Sequence, residues 1–286
     1  MAGSENLASK GGRIAFQGEP GAYSEVACRK FAPNLEPMPC ATFEDAFEAV
    51  RTGAAARAML PIENSLAGRV SDIHHLLPDA GLHIVAEYFL PIEHQLMAAP
   101  GVALDDVKTV RSHAMALGQC RKFIKEHKLR AEIAGDTAGA ARKLSETLAS
   151  DEAVIASAIA AENYGLSIIA PNIEDAGHNT TRFLEMSAQA MDAPADSGPI
   201  VTSFVFQVRN IPAALYKAMG GFATNGVNMT KLESYQLDGS FSATMFYADI
   251  EGHPEDRSVR LALEELGFFS TKLTILGVYK AARDRG

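Results

Sequence analysis

A chain of 286 residues, 47% of them hydrophobic, is long enough to bury a sizeable core in two domains or one large one. Its net charge of -9 speaks against non-specific nucleic-acid binding, which needs a basic face, but leaves open an anionic small molecule, which answers to the local field of its cleft. With no run of about 18 apolar residues, no membrane span is expected.

Cys28, Cys40 and Cys120 form no C-x-x-C pair and the histidines no H-E-x-x-H, so the sequence predicts a reducing, cytoplasmic setting with neither a disulfide framework nor a metal site. The start, MAGSENLASKGGR, lacks the apolar core of a signal peptide and reads as a disordered tail. Arg13–Phe16 then reads as a strand and Gly18–Ala22 as a tight loop. Ser24 reads as the N-cap of a helix, a strand–loop–helix start that can receive an anion. Thr42 caps a second helix with Phe43, Ala46, Phe47 and Val50 as its apolar stripe. Ala58–Leu60 is a short buried strand leading into Pro61-Ile62-Glu63-Asn64-Ser65-Leu66-Ala67-Gly68, which reads as a shaped polar loop. Leu82 to Ala98 reads as two strands joined near Leu90-Pro91. His74-His75 beside Asp72 reads as helix surface.

Thr109–Arg111 is strand-like, and Ser112 reads as the cap of one helix from about Ala114 to His127. Gln119 lies two turns along that helix, so Ser112 and Gln119 are expected to face one opening. Asp136 caps a helix through about Leu148. Strands at Ala153–Ser157 and Ser167–Ala170 bracket another, ended by Gly165. Next comes Asn172–Met186, NIEDAGHNTTRFLEM, a polar loop that delivers Thr180, Thr181 and Arg182 at the mouth of a strand. A guanidinium fork matches a carboxylate, and a hydroxyl beside it both donates and accepts.

Ala188–Pro199 has few large apolar residues and reads as a linker. Beyond it the order strand, helix, strand, strand, helix, strand runs from Val201 to Tyr279. The strands fall near 202–208, 228–235, 241–250 and 271–278, the helices near 212–223 and 254–266, with a hairpin turn at 237–240. This is the ferredoxin-like βαββαβ order.

Gly18–Glu25, Pro61–Ser65, Ser112-His113 with Gln119-Cys120, Asp136–Ala138 and Asn179–Phe183 together resemble bacterial prephenate dehydratase, in that family's order. The resemblance covers about Arg13 to Ser187, and 201–280 looks like the regulatory ACT domain that usually follows. It implies an α/β fold: a two-lobed, periplasmic-binding-protein-like catalytic domain over 13–187, a linker at 188–200 and the ACT domain. One lobe is expected at 13–104 plus 177–187 and the other at 105–176. The implied substrate is prephenate, which loses CO2 and water to become phenylpyruvate. Aromatisation drives that reaction, so no metal or organic cofactor is called for.

By the same resemblance Thr181, Arg182, Phe183, Glu63, Asn64, Ser112 and Gln119 form the catalytic set. Ser65, Tyr23, Ser24 and Thr180 are expected to contact substrate. Thr181 would donate to the departing hydroxyl, Arg182 would bind the pyruvyl carboxylate, and Phe183 would form an apolar wall. Asn64, Ser112 and Gln119 would fix the ring, and Glu63 would orient its neighbours. Phenylalanine would bind near Leu215, Asn228, Glu233 and Ser234 in a homodimer or homotetramer. Here the sequence departs from the ACT pattern, with Ala213-Ala214-Leu215 where the family carries G-A-L and Glu233-Ser234-Tyr235-Gln236 where it carries E-S-R-P. Arogenate is the alternative substrate, and a non-catalytic amino-acid sensor the alternative class. The intact Thr181-Arg182-Phe183 speaks for the enzyme.

Overall fold

The computed structural model describes residues 12–236 and 243–282. The predicted hairpin turn at 237–240 and most of the N-terminal tail lie outside them. The chain opens with β1 (Arg13–Gln17), α1 (Tyr23–Phe31), β2 (Glu36–Cys40), α2 (Phe43–Arg51), β3 (Arg57–Asn64), β4 (Gly68–Arg69) and α3 (Ser71–Leu76). It continues with β5 (His83–Pro91), β6 (Gln95–Ala98), β7 (Thr109–Ser112), α4 (Ala114–Gln119), α5 (Arg121–Glu126), β8 (Arg130–Ile133), α6 (Thr137–Thr147), β9 (Glu152–Ala156), α7 (Ala158–Tyr164), β10 (Ser167–Ala170) and β11 (Thr180–Ser187). The last part holds β12 (Ile200–Val208), α8 (Ala214–Thr224), β13 (Met229–Gln236), β14 (Ala243–Glu251), α9 (Arg257–Phe269) and β15 (Ser270–Lys280). These elements gather into two compact units. Of the described residues, one holds 12–70 with Phe89–Phe183, and the other Ser71–Tyr88 with those from Leu184 onward. Among the described residues no helix is long and apolar enough to cross a membrane.

Two sheets organise the first unit. One runs β2-β1-β3-β11 with β4 attached to β3, and the other β10-β6-β9-β7-β8. β1 is parallel to both neighbours, and β7 is parallel to β8 and β9. Helices cover these parallel strands, which is why Ile14, Ala15 and Phe16 of β1 and Ala153, Val154 and Ile155 of β9 are buried in unbroken runs.

Several local expectations hold. Thr42 caps α2 in a complete capping box, Asp136 caps α6 through Gly139 N–H, and Gly165 ends α7 in the left-handed conformation. Others shift for physical reasons. Ala22, not Ser24, is the N-cap of α1, and Glu25 inside the first turn accepts from Gly21 N–H. Pro61–Asn64 is strand, because β4 pairs back on Glu63 and Asn64 and shrinks the predicted loop to residues 65–67. Ser112 ends β7, and His113 caps α4 by accepting from Met115 N–H. The helix expected through His127 breaks at Cys120, where Asp175 takes Lys122 N–H and so caps α5. β6 hydrogen-bonds into the second sheet, so the chain crosses between sheets at 92–94, ahead of the expected lobe boundary near Leu104. Edge strand β8 has no counterpart among the expected elements, since its four residues carry little apolar pattern.

In the second unit β13-β14-β12-β15 forms an antiparallel sheet in the predicted βαββαβ order. Phe204, Phe206 and Phe246 from one sheet face pack with Ala218 and Phe222 of α8 and Ala262 and Leu266 of α9. The opposite face is buried too, and there Ser203 donates to Asp249 beside the Tyr279 hydroxyl. Gly277 has to be glycine, because a Cβ would overlap the Ile84 carbonyl oxygen.

Ala213 caps α8 at φ 62 and ψ 13, the left-handed conformation that a glycine takes freely. Replacing Ala213 by Gly is expected to raise the stability to denaturant by roughly 1 kcal/mol. Unchanged or lower stability would show that this turn is not strained.

Candidate active site

The site begins with the pairing of two chain segments. Ser65 N–H donates to the Thr180 carbonyl at 2.8 Å, and Thr180 N–H returns a bond to Ser65 Oγ at 2.9 Å. This clip sets the start of β11 beside the end of β3. Side chains alternate along a strand, so Thr181 and Phe183 face one side and Arg182 the other. Thr181 and Phe183 line a cavity of about 750 Å³. Arg182, 2% exposed, donates to Glu63 Oε1 at 3.0 Å.

The polar loop before β11 is bound along its length. Ile173 N–H donates to the His94 carbonyl, His94 N–H to Glu174 Oε2, and Asp175 N–H to the Gln119 carbonyl at 2.6 Å. These bonds satisfy backbone groups at the 92–94 crossover and at the α4–α5 break. They bring His94 and Gln119 to the wall of the cavity that Asn64 and Thr181 also line.

Asn64 holds the centre. Its Oδ1 accepts from Leu66 N–H at 3.0 Å and Ala67 N–H at 2.9 Å. Its Nδ2 donates to Thr181 Oγ1 at 2.9 Å and to Asn179 Oδ1 at 2.8 Å. Asn179 Nδ2 donates to Gln119 Oε1 at 3.0 Å, and that oxygen lies 2.7 Å from His94 Nε2. Tyr23 Oη is 2.6 Å from His94 Nδ1.

A second set of walls comes from helix starts. Ala22, Tyr23 and Ser24 at the head of α1 and Gly135, Asp136 and Thr137 at the head of α6 line the cavity, where backbone N–H groups favour an anion. Gly21, at φ +91, is pressed on Ala160, so a Cβ would come within 2.8 Å of that residue. Its carbonyl accepts from Ser157 Oγ at 2.6 Å, which fixes the loop ahead of α1.

Of the expected residues, Thr181, Phe183, Asn64, Gln119, Tyr23 and Ser24 therefore meet at one cavity. Ser112 does not join them: it is fully buried and donates to the Ile155 carbonyl at 2.6 Å. Ser65 and Thr180 act in the clip, and Glu63 and Arg182 pair behind the strand. The sequence singles out neither His94 nor a separate role for Asn179. The only local signal for His94 is a short polar triplet, Glu93-His94-Gln95, between apolar runs.

The expected effector residues are dispersed. Leu215 packs on the core of the second unit, Asn228 donates to Glu251 and Glu233 accepts from Lys231. Glu233 and Ser234 are adjacent on β13 and so point to opposite faces.

Fold and cavity define a protein that receives a small molecule, and the known proteins supply its chemistry. A family model described as prephenate dehydratase matches residues 14–191. A bifunctional N-acyl-homoserine lactone acylase/prephenate dehydratase from Komagataeibacter europaeus is 51% identical over 94% of this chain and 96% of its own length. Arogenate dehydratase/prephenate dehydratase 1 of Arabidopsis thaliana, a chloroplastic protein, is 41% identical over 93% of this chain and 71% of its own length. A crystal structure of prephenate dehydratase from Arthrobacter aurescens in complex with L-Phe is 32% identical, with a TM-score of 0.87 over 94% of this chain and 90% of that one. The chain belongs to the prephenate dehydratase family, and is a carbon–oxygen lyase.

With Arg182 buried against Glu63, Arg182→Met is expected to lower the unfolding free energy by about 1–3 kcal/mol while shifting KM little. Unfolding by denaturant and steady-state kinetics separate the two effects. An unchanged stability with a strongly raised KM would put the guanidinium on the substrate instead.

Proposed function

We propose that this protein converts prephenate to phenylpyruvate. The observation that carries the reading is the Thr181 hydroxyl: its oxygen already accepts from Asn64 Nδ2, which leaves its own proton for a group in the cavity. In the reaction the electron pair of the ring–carboxylate bond moves into the ring and CO2 departs. The ring aromatises as its carbon–oxygen bond breaks. The prephenate dianion takes up one proton and yields the phenylpyruvate anion, CO2 and water.

Thr181 donates a hydrogen bond to the departing oxygen, and a neighbouring water supplies the proton to it, since a free threonine is a very weak acid. Phe183 presents an apolar wall where a poorly solvated ring carboxylate is readier to leave. The heads of α1 and α6 receive carboxylate oxygens, with Tyr23 and Ser24 beside them. Arg182 and Glu63 keep β11 in place, a different role from the carboxylate clamp expected of the arginine. Arogenate is the second reading. It is favoured by the plant relatives that carry arogenate in their names.

The C-terminal ferredoxin-like unit is read as an ACT domain that binds phenylalanine and inhibits, a reading supported by the L-Phe complex of the Arthrobacter aurescens relative. Leu215, Asn228, Glu233 and Ser234 remain the proposed effector positions, in a homodimer or homotetramer.

Purified protein mixed with prephenate should yield phenylpyruvate, and Thr181→Ala should lower kcat by roughly 10²-fold or more with little change in KM. Near-wild-type kcat would remove Thr181 from the mechanism, and turnover of arogenate alone would decide for the second reading. Phenylalanine titrated to saturation should inhibit the whole chain, by a coupling of about 1–3 kcal/mol. Absence of both inhibition and calorimetric binding would contradict the regulatory reading.

A further inference from the structure

The hydrogen-bond chain on the cavity wall has a direction that can be read from its fixed end. The backbone N–H groups of Leu66 and Ala67 have to donate, so Asn64 meets them with its oxygen and serves Thr181 and Asn179 with its nitrogen. Asn179 then receives on Oδ1 and gives Nδ2 to Gln119. Gln119 receives on Oε1, and the same oxygen faces His94 Nε2. An amide oxygen carries no proton, so Nε2 is the nitrogen of His94 that does.

Burial lowers the His94 pKa, so the ring is neutral near pH 7 and Nδ1 is bare. The Tyr23 hydroxyl lies 2.6 Å from it, and burial pushes that phenol pKa up, which keeps it a donor. The Glu93 carbonyl, 3.0 Å from the same hydroxyl, is a second acceptor. The bare Nδ1 is closer, and no other proton can separate it from the phenol oxygen.

We propose that His94, held by Tyr23 with its proton on Nε2, is a positioning residue that anchors the far end of the chain whose near end turns the Thr181 proton into the cavity. Its effect on turnover rests on the dehydratase reading. The direction of the hydrogen bonds does not. If His94 cannot donate, Gln119 is free to rotate, Asn179 loses its fixed acceptor, and Asn64 shares its nitrogen less steadily with Thr181.

The test has two arms on the full-length protein. Nitrogen-15 NMR of ring-labelled histidine, with the His94 signals assigned by their loss in His94→Gln, should show Nε2 protonated and Nδ1 bare. Protonation at Nδ1 alone would overturn the proposal. In kinetics, His94→Leu should lower kcat roughly 10- to 100-fold with KM little changed, and His94→Gln, whose amide nitrogen reaches the Nε2 position, should recover most of the loss. Equal kcat for His94→Leu and wild type, or no rescue by glutamine in a variant that melts like wild type, would also overturn it. A wild type inert towards both prephenate and arogenate would sink the dehydratase reading, and with it the effect on turnover, while the ring spectrum still decides the direction of the hydrogen bonds.

Discussion

Two backbone N–H groups, those of Leu66 and Ala67, decide which way Asn64 faces, and the order of the site follows from that. An asparagine offers one acceptor and one donor group, and either can face a given neighbour. Here the turn between β3 and β4 removes the ambiguity, because peptide nitrogens can only give. Asn64 spends both hydrogens of its nitrogen, on Thr181 and on Asn179, so the Thr181 oxygen is held as an acceptor. A hydroxyl so held has its proton to offer elsewhere, and the cavity is where Thr181 faces.

The scaffold brings these groups together from distant parts of the sequence. Asn64 ends β3, Thr181 is the second residue of β11, His94 lies in the crossover between sheets and Gln119 ends α4. The polar loop that leads into β11 is held by donors and acceptors of the crossover and the helix break, so its sequence reads as unstructured while its backbone is bound. The loop ahead of α1 is fixed by the packing of Gly21 on Ala160 and by Ser157. A cavity bounded in this way keeps its donors in place before any ligand arrives, the condition for orientation to contribute to rate.

Much of the fold is legible in the sequence because its signals are local. Capping residues, glycine stops and apolar stripes locate α2, α6, α7 and the βαββαβ order. Several of the differences share a cause, which is that hydrogen-bond partners far along the chain cannot be seen from it. Ser112 reads as a helix cap with a free hydroxyl, and the Ile155 carbonyl on the neighbouring strand takes that hydroxyl. Pro61–Asn64 reads as a loop because nothing local announces β4 as its partner. Arg182 is different, since the period of two along a strand already places it opposite Thr181 and Phe183. Taking Thr181-Arg182-Phe183 as a single motif hides that alternation. His94 stays invisible for a topological reason: nothing local says that the chain changes sheets at that point.

Asn64→Asp tests most directly whether Asn64 turns the Thr181 proton toward the departing hydroxyl. A carboxylate still accepts from Leu66 and Ala67 but has no hydrogen for Thr181, whose proton then turns toward it and away from the cavity. The measurement is kcat at saturating substrate for Asn64→Asp, Thr181→Ala and the double variant. Each single change is expected to lower kcat by roughly 10²-fold, with the double variant scarcely slower than either. A nearly unaffected Asn64→Asp enzyme, or losses that multiply in the double variant, would contradict that role of Asn64.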